Sequence, residues 1–413
     1  MPARSAKTKI ALVLQGARVW GPGLLVMLAD SDAGNVVTAA QSGARWGYRL
    51  LPLLLLLAPV LFMAQELTVR LGIHTGRGYS ELIRDRFGVG WAWLATAALA
   101  VATIGSLVTE FTGAAGIGEL YGLSRSISLP LAAAAVLTVV ATGSYRRVER
   151  TALVVGLFEL AFFVVAWVAH PKLGTLLRHT ADLPLGNPEF RYLAAALIGA
   201  TFNPWMVFYQ QSATVEKNLK PSDIKAARWD TGVGAILTQC LTAAVLVAAA
   251  AALTSGNTPA NLTSVGQIVD ALTPVLGDLT GHLVFGVGVL GASLIAAIVS
   301  SLALAWGVGE VTGHRRSLEY QPLQAGWFYG VYSVGAVGAA ALVWSVSDLV
   351  WLNIAAQVLN AFLLPLVIGL LVALAAKALP EPAGLRGWYL LLVVSVFAVV
   401  CSAGLFGGIS GFR

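Results

Sequence analysis

The chain has 413 residues, of which 57% are hydrophobic and 11% charged. Soluble domains carry nearer a quarter of charged residues, so a soluble globular protein is excluded. Repeated apolar runs of about 20 residues mark a polytopic α-helical membrane protein, and the net charge of +6 needs no nucleic acid partner to explain it.

The first apolar run, 20–41, is interrupted by D-S-D-A-G-N at 30–35. Two carboxylates, an amide and a glycine inside a membrane helix are costly unless used, at about a few kcal/mol per charge. Gly34 and its short polar neighbours favour turns over helix. The stretch predicts a helix broken at its middle, with Asp32 and Asn35 facing a cation. No small-residue cleavage site follows, so no cleaved signal peptide is read. Cys240 and Cys401 lie in apolar runs and are expected to pack, with no disulfide or metal cluster.

Ten further spans follow, giving eleven: 50–70, 91–120, 127–142, 151–170, 192–212, 231–253, 283–308, 327–346, 350–374 and 388–406. Two loops are longer than the rest. The stretch 171–191 is largely polar, and 254–281 contains an apolar periodic segment, 265–276, that predicts a short amphipathic surface helix.

The loops sort by charge. One set carries Arg4, Lys7 and Lys9; Arg77, Arg84 and Arg86; Arg146, Arg147 and Arg150; Lys217, Lys220, Lys225 and Arg228; Arg315 and Arg316; Lys377 and Arg386. The alternate set holds only Arg45, Arg49, Arg125, Lys172, Arg178 and Arg191. By the positive-inside rule the N-terminus is cytoplasmic and the C-terminus outside.

The sixth span has its own break, at Thr201-Phe202-Asn203-Pro204. Pro204 removes a donor and frees carbonyls such as those of Ala200 and Thr201, which need partners in lipid. A lone proline kink is common in membrane helices. Interruptions in spans one and six, five apart, instead point to two inverted repeats with a binding site between them. The repeats are expected at about 18–170 and 190–376, within one transporter domain of 1–413, with the eleventh helix at about 388–406 added.

The sequence resembles the NRAMP family of divalent metal transporters, most of all its divergent prokaryotic magnesium-transporting branch. The resemblance covers nearly the whole chain. It runs through Gly21-Pro22-Gly23, then Asp32-Ala33-Gly34-Asn35, where the family pattern is D-P-G-N. It continues through Gln41 to Tyr48 (Q-A-G-A-x-x-G-Y) and Gln65 to Gly76 (Q-x-L-x-x-R-L-G-x-x-T-G). It includes Ala196 to Thr201 leading into Asn203-Pro204-Trp205, where the family has M-P-H. Gln357-Val358 followed by Leu364-Pro365 fits S-Q-V…L-P. The resemblance implies an all-α LeuT-type fold with helices one and six unwound at mid-membrane, and a multi-pass protein of the inner (cytoplasmic) membrane. A monomer is expected, with the metal as transported cargo and no resident cofactor.

The resemblance also implies a ligand set: Asp32, Asn35, the Ala200 carbonyl and, at the family's methionine position, Asn203. Gln357 joins them as a polar neighbour. Replacing a soft thioether by a hard amide oxygen favours magnesium, manganese or calcium. The family's two histidine positions are Trp205 and Gln210, its third-helix Asp position is Leu107, and Glu110 is kept. Trp and Gln do not titrate near neutral pH, so tight proton coupling is not expected. The membrane potential supplies about 4.6 kcal/mol per 100 mV to a dication.

Other residues carry paired readings. Asp30 adds negative potential beside Asp32, or lines an aqueous vestibule. Glu110 serves the permeation route or a retained proton site. Trp205 is a packing plug or a gate. Gln210 lines the vestibule or pairs helices. Glu159, Asp230 and Glu310 are read as structural acids near span ends. The expected function is import of Mg2+ and Mn2+ by alternating access. The alternatives are a proton-coupled Mn2+/Fe2+ importer using Glu110 and a LeuT-type transporter of an organic substrate. An intramembrane enzyme has no supporting motif.

Overall fold

The computed structural model describes residues 20–171, 173–253, 266–269, 273, 277, 279–346, 348–381 and 383–411. Among the described residues the chain is helical, without strands. Eight helical stretches among the described residues are long and apolar enough to cross a membrane.

The predicted first span is two helices. Helix α1 (Pro22–Asp30) ends where Ser31 closes its last turn on the Leu28 carbonyl, and α2 (Ala33–Trp46) restarts with Asp32 as its N-cap. The sixth span is likewise α10 (Pro188–Thr201) and α11 (Pro204–Glu216). Proline at the first position of α11 suits a helix start, where its missing donor leaves nothing unsatisfied. Neither half alone reaches membrane-crossing length.

Between them lie α3 (Leu51–Thr75), α4 (Tyr79–Phe87), α5 (Val89–Leu120), α6 (Arg125–Ala141), α7 (Tyr145–Gly156), α8 (Ala161–Val168) and α9 (Leu173–Ala181). The fourth predicted span is thus a 17-residue helix. The fifth is longer than expected and is tightened into a 3₁₀ turn at Leu157–Leu160, between α7 and α8. The 171–191 loop, read as largely polar, contains α9, which packs over the α2–α3 junction.

After α11 come α12 (Ile224–Leu253), α13 (Phe285–Thr312) behind a π turn, α14 (Gly326–Trp344), α15 (Leu349–Lys377) and α16 (Gly387–Ser410). The expected amphipathic helix 265–276 falls mostly outside the described residues; 266–269 and Thr273 are helical. Cys240 is exposed, against the expectation of packing, and Cys401 is half-buried; both thiols are free.

Packing centres on the two broken pairs. α5 lies along α13, α12 along α1, α2 and α3, and α10 along α15 and α16. The α10–α15 contact is close because Gly199 has no side chain: a Cβ there would stand 2.8 Å from the Ala361 amide nitrogen. Outward surfaces keep large apolar residues exposed, such as Trp167, Leu56 and Val334. That fits a lipid-facing periphery, where burial in water terms confers nothing.

The charged loops gather at two ends. Arg316 pairs with Glu81, Arg84 donates to the Val311 carbonyl, Lys217 pairs with Glu149, and Arg70 reaches the Ala383 carbonyl. At the other end Arg49 pairs with Asp182 at 3.0 Å, and Arg45 pairs with Glu189. These contacts stay within the two loop sets that charge had separated.

Candidate functional site

The α1 and α2 halves leave orphan backbone groups at the break, and side chains answer them. Asp32 Oδ1 accepts from the Asn35 amide at 2.6 Å. Asn35 Nδ2 donates to the Asp30 carbonyl at 2.8 Å, and Glu110 of α5 accepts from the Ala33 amide at 3.1 Å. Glu110 also accepts from the Thr109 hydroxyl at 3.0 Å. Glu110 therefore belongs to the break itself, one residue along from Asp32.

The α10–α11 break faces it. Asn203 Nδ2 donates towards Asp32 Oδ2 and towards the Ala200 carbonyl, each at 3.4 Å. Asn203 Oδ1 accepts from Asn360 Nδ2 at 2.5 Å, and the same Asn360 nitrogen donates to Gln357 Oε1 at 3.0 Å. Gln357 turns its own NH2 towards Gly34, which has room for it only because it lacks a Cβ. The expected set Asp32, Asn35, Ala200, Asn203 and Gln357 is thus assembled at one place.

The arrangement differs from the expected one in orientation. Asn203 presents its NH2 to Asp32, with its oxygen engaged by Asn360. A carboxylate and a free carbonyl attract donors, so the amide turns its hydrogens inward. Asn35 Oδ1 and Gln357 Nε2 have no hydrogen-bond partner. Asp30, Asp32, Asn35, Gln357 and Asn203 are all buried, with at most 1% exposure, so the site is closed from both sides.

The remaining candidates separate. Trp205 is fully buried, and its indole donates to Ser106 at 3.1 Å, tying the start of α11 to α5. Gln210 is fully buried and donates to the Thr231 hydroxyl at 2.7 Å, pairing α11 with α12. Asp230 accepts from the amides of Gly21, Gly23 and Leu24, capping α1. Glu310 accepts from the Ser80 amide and the Ser212 hydroxyl. These last two are occupied by backbone and hydroxyl donors away from the two breaks.

Two residues were missed or misplaced by sequence reasoning. Asn360 holds Asn203 and Gln357 together; its position one turn beyond Gln357 was the available signal. Glu159 is not near a span end. It sits in the 3₁₀ turn of the fifth span, fully buried, beside Ser31 and within electrostatic reach of Asp32 and, more weakly, Asp30. Its mid-span position in 151–170 was the overlooked sign. Among the described residues, no three His, Cys, Asp or Glu side chains form a metal-holding group.

Known proteins share this framework. The Nramp family model, described as natural resistance-associated macrophage protein-like, matches residues 23–409. A protein of Verminephrobacter eiseniae named divalent metal cation transporter MntH is 26% identical, over 91% of this chain and 92% of its own. A Brucella suis protein of the same name is 27% identical, over 69% of this chain and 65% of its own length. Among solved structures, the Eremococcus coleocola manganese transporter superposes with a TM-score of 0.75 at 17% identity, covering 95% of this chain and 86% of that one. That likeness speaks for the fold, which is the LeuT type. With the two half-helix breaks and the family match in hand, the chain belongs to the Nramp family.

Proposed function

We propose that the protein carries divalent metal cations across the membrane, with a donor set suited to Mg2+ and Mn2+. Family membership supports transport of a metal and sets aside the enzyme reading. The observation that carries the cation preference is the residue facing Asp32 from the sixth span. Asn203 offers an amide where the family has a thioether, so every group meeting at the break is a carboxylate, amide, hydroxyl or carbonyl. Hard oxygen donors favour hard cations.

Binding requires a turn of the amides. Arrival of a dication reverses the local preference: Asn203 rotates its oxygen to the metal and releases Asn360, and Gln357 does the same. The Ala200 carbonyl is freed in the same step, because it no longer accepts from Asn203. The loss of one Asn203–Asn360 hydrogen bond is offset by direct ligation. Alternating access then works the two half-helix pairs against the rest of the bundle. Two inverted repeats, eleven crossings and a cytoplasmic N-terminus complete this reading. The shared position of the two breaks and the sorting of charged loops to two ends support it.

A proton-coupled manganese or iron importer is the second reading. Its support is Glu110, a buried carboxylate bonded to the Ala33 amide beside Asp32. The test is uptake into proteoliposomes holding a pH dye. Mg2+ uptake without internal acidification is the expected result. Acidification that tracks Mn2+ uptake would favour the second reading. Absence of any divalent heat in calorimetry, with binding of an amino acid or base, would sink both.

A further inference from the structure

Four carboxylates meet around the first-helix break: Asp30, Asp32, Glu110 and Glu159, each at most 1% exposed. Among the described residues no Lys or Arg forms a salt bridge with any of them. Buried charges need a partner. Asp32 and Glu110 receive backbone and side-chain donors. Asp30 and Glu159 have only the hydroxyls of Thr238 and Ser31 as donors, and no hydrogen bond of good geometry reaches any of their four carboxylate oxygens.

Two hydroxyls border these oxygens. Thr238 of α12 stands beside Asp30, and Ser31 stands beside Glu159. Ser31 and Thr238 share a hydrogen bond of 2.8 Å with each other, which uses one of their two hydroxyl hydrogens. At most one hydrogen is left for four carboxylate oxygens. The corner is rich in oxygen and poor in donors. It also lies at the C-terminal end of α1, where the helix dipole favours positive charge.

From this we infer a second divalent-cation position, formed by Asp30 and Glu159 with the hydroxyls of Ser31 and Thr238. It adjoins the proposed cargo position that Asn203 faces, since both Asp30 and Glu159 interact with Asp32. Its donors are oxygen only, which suits a hard dication such as Mg2+ or Mn2+. Charge argues for a dication over an alkali ion: two carboxylates are neutralised by one dication. A single dication at Asp32 and Glu110 would leave Asp30 and Glu159 uncompensated in the membrane interior. Glu159 approaches from a turn between α7 and α8 rather than from the broken helices, so this ion would tie the fifth span to the first.

The test uses the full chain in nanodiscs, with Mn2+ alone as the probe. Equilibrium dialysis is expected to give two Mn2+ per chain, and paramagnetic resonance a spectrum broadened by a neighbouring Mn2+. Glu159→Gln should lower the stoichiometry to one and remove the broadening, while the remaining ion is still lost on Asp32→Asn. Glu159→Asp should retain two. Thr238→Val keeps the side chain's shape and should weaken only the second ion, by about tenfold. It serves as the readout if the melting temperature shows that Glu159→Gln does not fold. One Mn2+ per wild-type chain, lost on Asp32→Asn and indifferent to Glu159→Gln, would overturn this inference and leave the proposed function standing. A second ion that survives both Glu159→Gln and Thr238→Val would also overturn it. So would a sodium ion, detected by sodium resonance, that needs Glu159 while Mn2+ stays at one. No Mn2+ at all would overturn both.

Discussion

Asn203 donates its side-chain amide to the Asp32 carboxylate across 3.4 Å, linking the two helix breaks through one contact. The contact is long and is made by the wrong end of the amide for a metal ligand. The closed site is therefore held by weak donors that a cation displaces, and the expectations below follow from that.

Asp32 has two roles that substitution can separate. Its carboxylate caps α2 through the Asn35 amide and faces the proposed cargo position. Asp32→Ala should abolish Mg2+ and Mn2+ heats in calorimetry and uptake in vesicles, and should also cost about 1 kcal/mol of helix capping. Asp32→Asn keeps an N-cap oxygen. It should lose the binding heat with a smaller drop in melting temperature. Normal transport by Asp32→Ala would refute the assignment.

Asn203→Met should shift competition for uptake towards Mn2+ and Cd2+ and away from Mg2+, because sulfur is a soft donor. The measurement is inhibition of Mn2+ uptake by each competitor. Unchanged selectivity would mean that this position does not touch the ion.

Asn360 holds the Asn203 oxygen away from Asp32. Removing it with Asn360→Ala spares one neutral hydrogen bond, about 1 kcal/mol. The dissociation constant for Mn2+ should then tighten by up to about fivefold. Weaker binding would instead make Asn360 a positioning residue for the bound state.

The base of α1 is latched. Lys217 donates to Glu149 at 2.7 Å and to the Trp20 carbonyl at 2.8 Å. Lys217→Met should loosen this end without altering the ligands. In a Cys240→Ala, Cys401→Ala background, a cysteine placed by Leu25→Cys should react faster with a cytoplasmic maleimide when Lys217 is replaced. Equal rates would show that the latch does not gate access.

Gly199 lets α10 approach α15. Gly199→Val drives a branched side chain into the α15 backbone near Gln357 and Ala361. Overpacking of this kind costs about 1–3 kcal/mol, and here it also displaces Gln357. Both the melting temperature and Mn2+ affinity should fall. A lower melting temperature with intact affinity would separate packing from the site.

Much of this protein was legible in one dimension. Apolar runs of membrane length, the polar break at Asp30 to Asn35 and the Asn203-Pro204 break follow from rules that act locally. Lipid offers no hydrogen bonds, so every interruption of a helix must be answered by something. Loop charge likewise sorted residues that the fold gathers at two ends. What the chain order could not decide was which side chains answer which break. Glu110 reads in sequence as one acid in a long helix, and folding brings it to the Ala33 amide from 77 positions away. Glu159 stands at the middle of 151–170 in sequence, but only the fold brings it beside Ser31. Asn360 stands one turn beyond Gln357 in sequence, but its hold on Asn203 shows only when α15 is laid against α10. Amide orientation is equally a tertiary matter: Asn203 points its NH2 inward because a carboxylate and a carbonyl wait there. Sequence determined that the membrane interior is broken in two places and which chemistry is available at each. Only the packing of the other helices around those breaks decided which oxygens stand together, because that depends on distances between residues the chain keeps far apart.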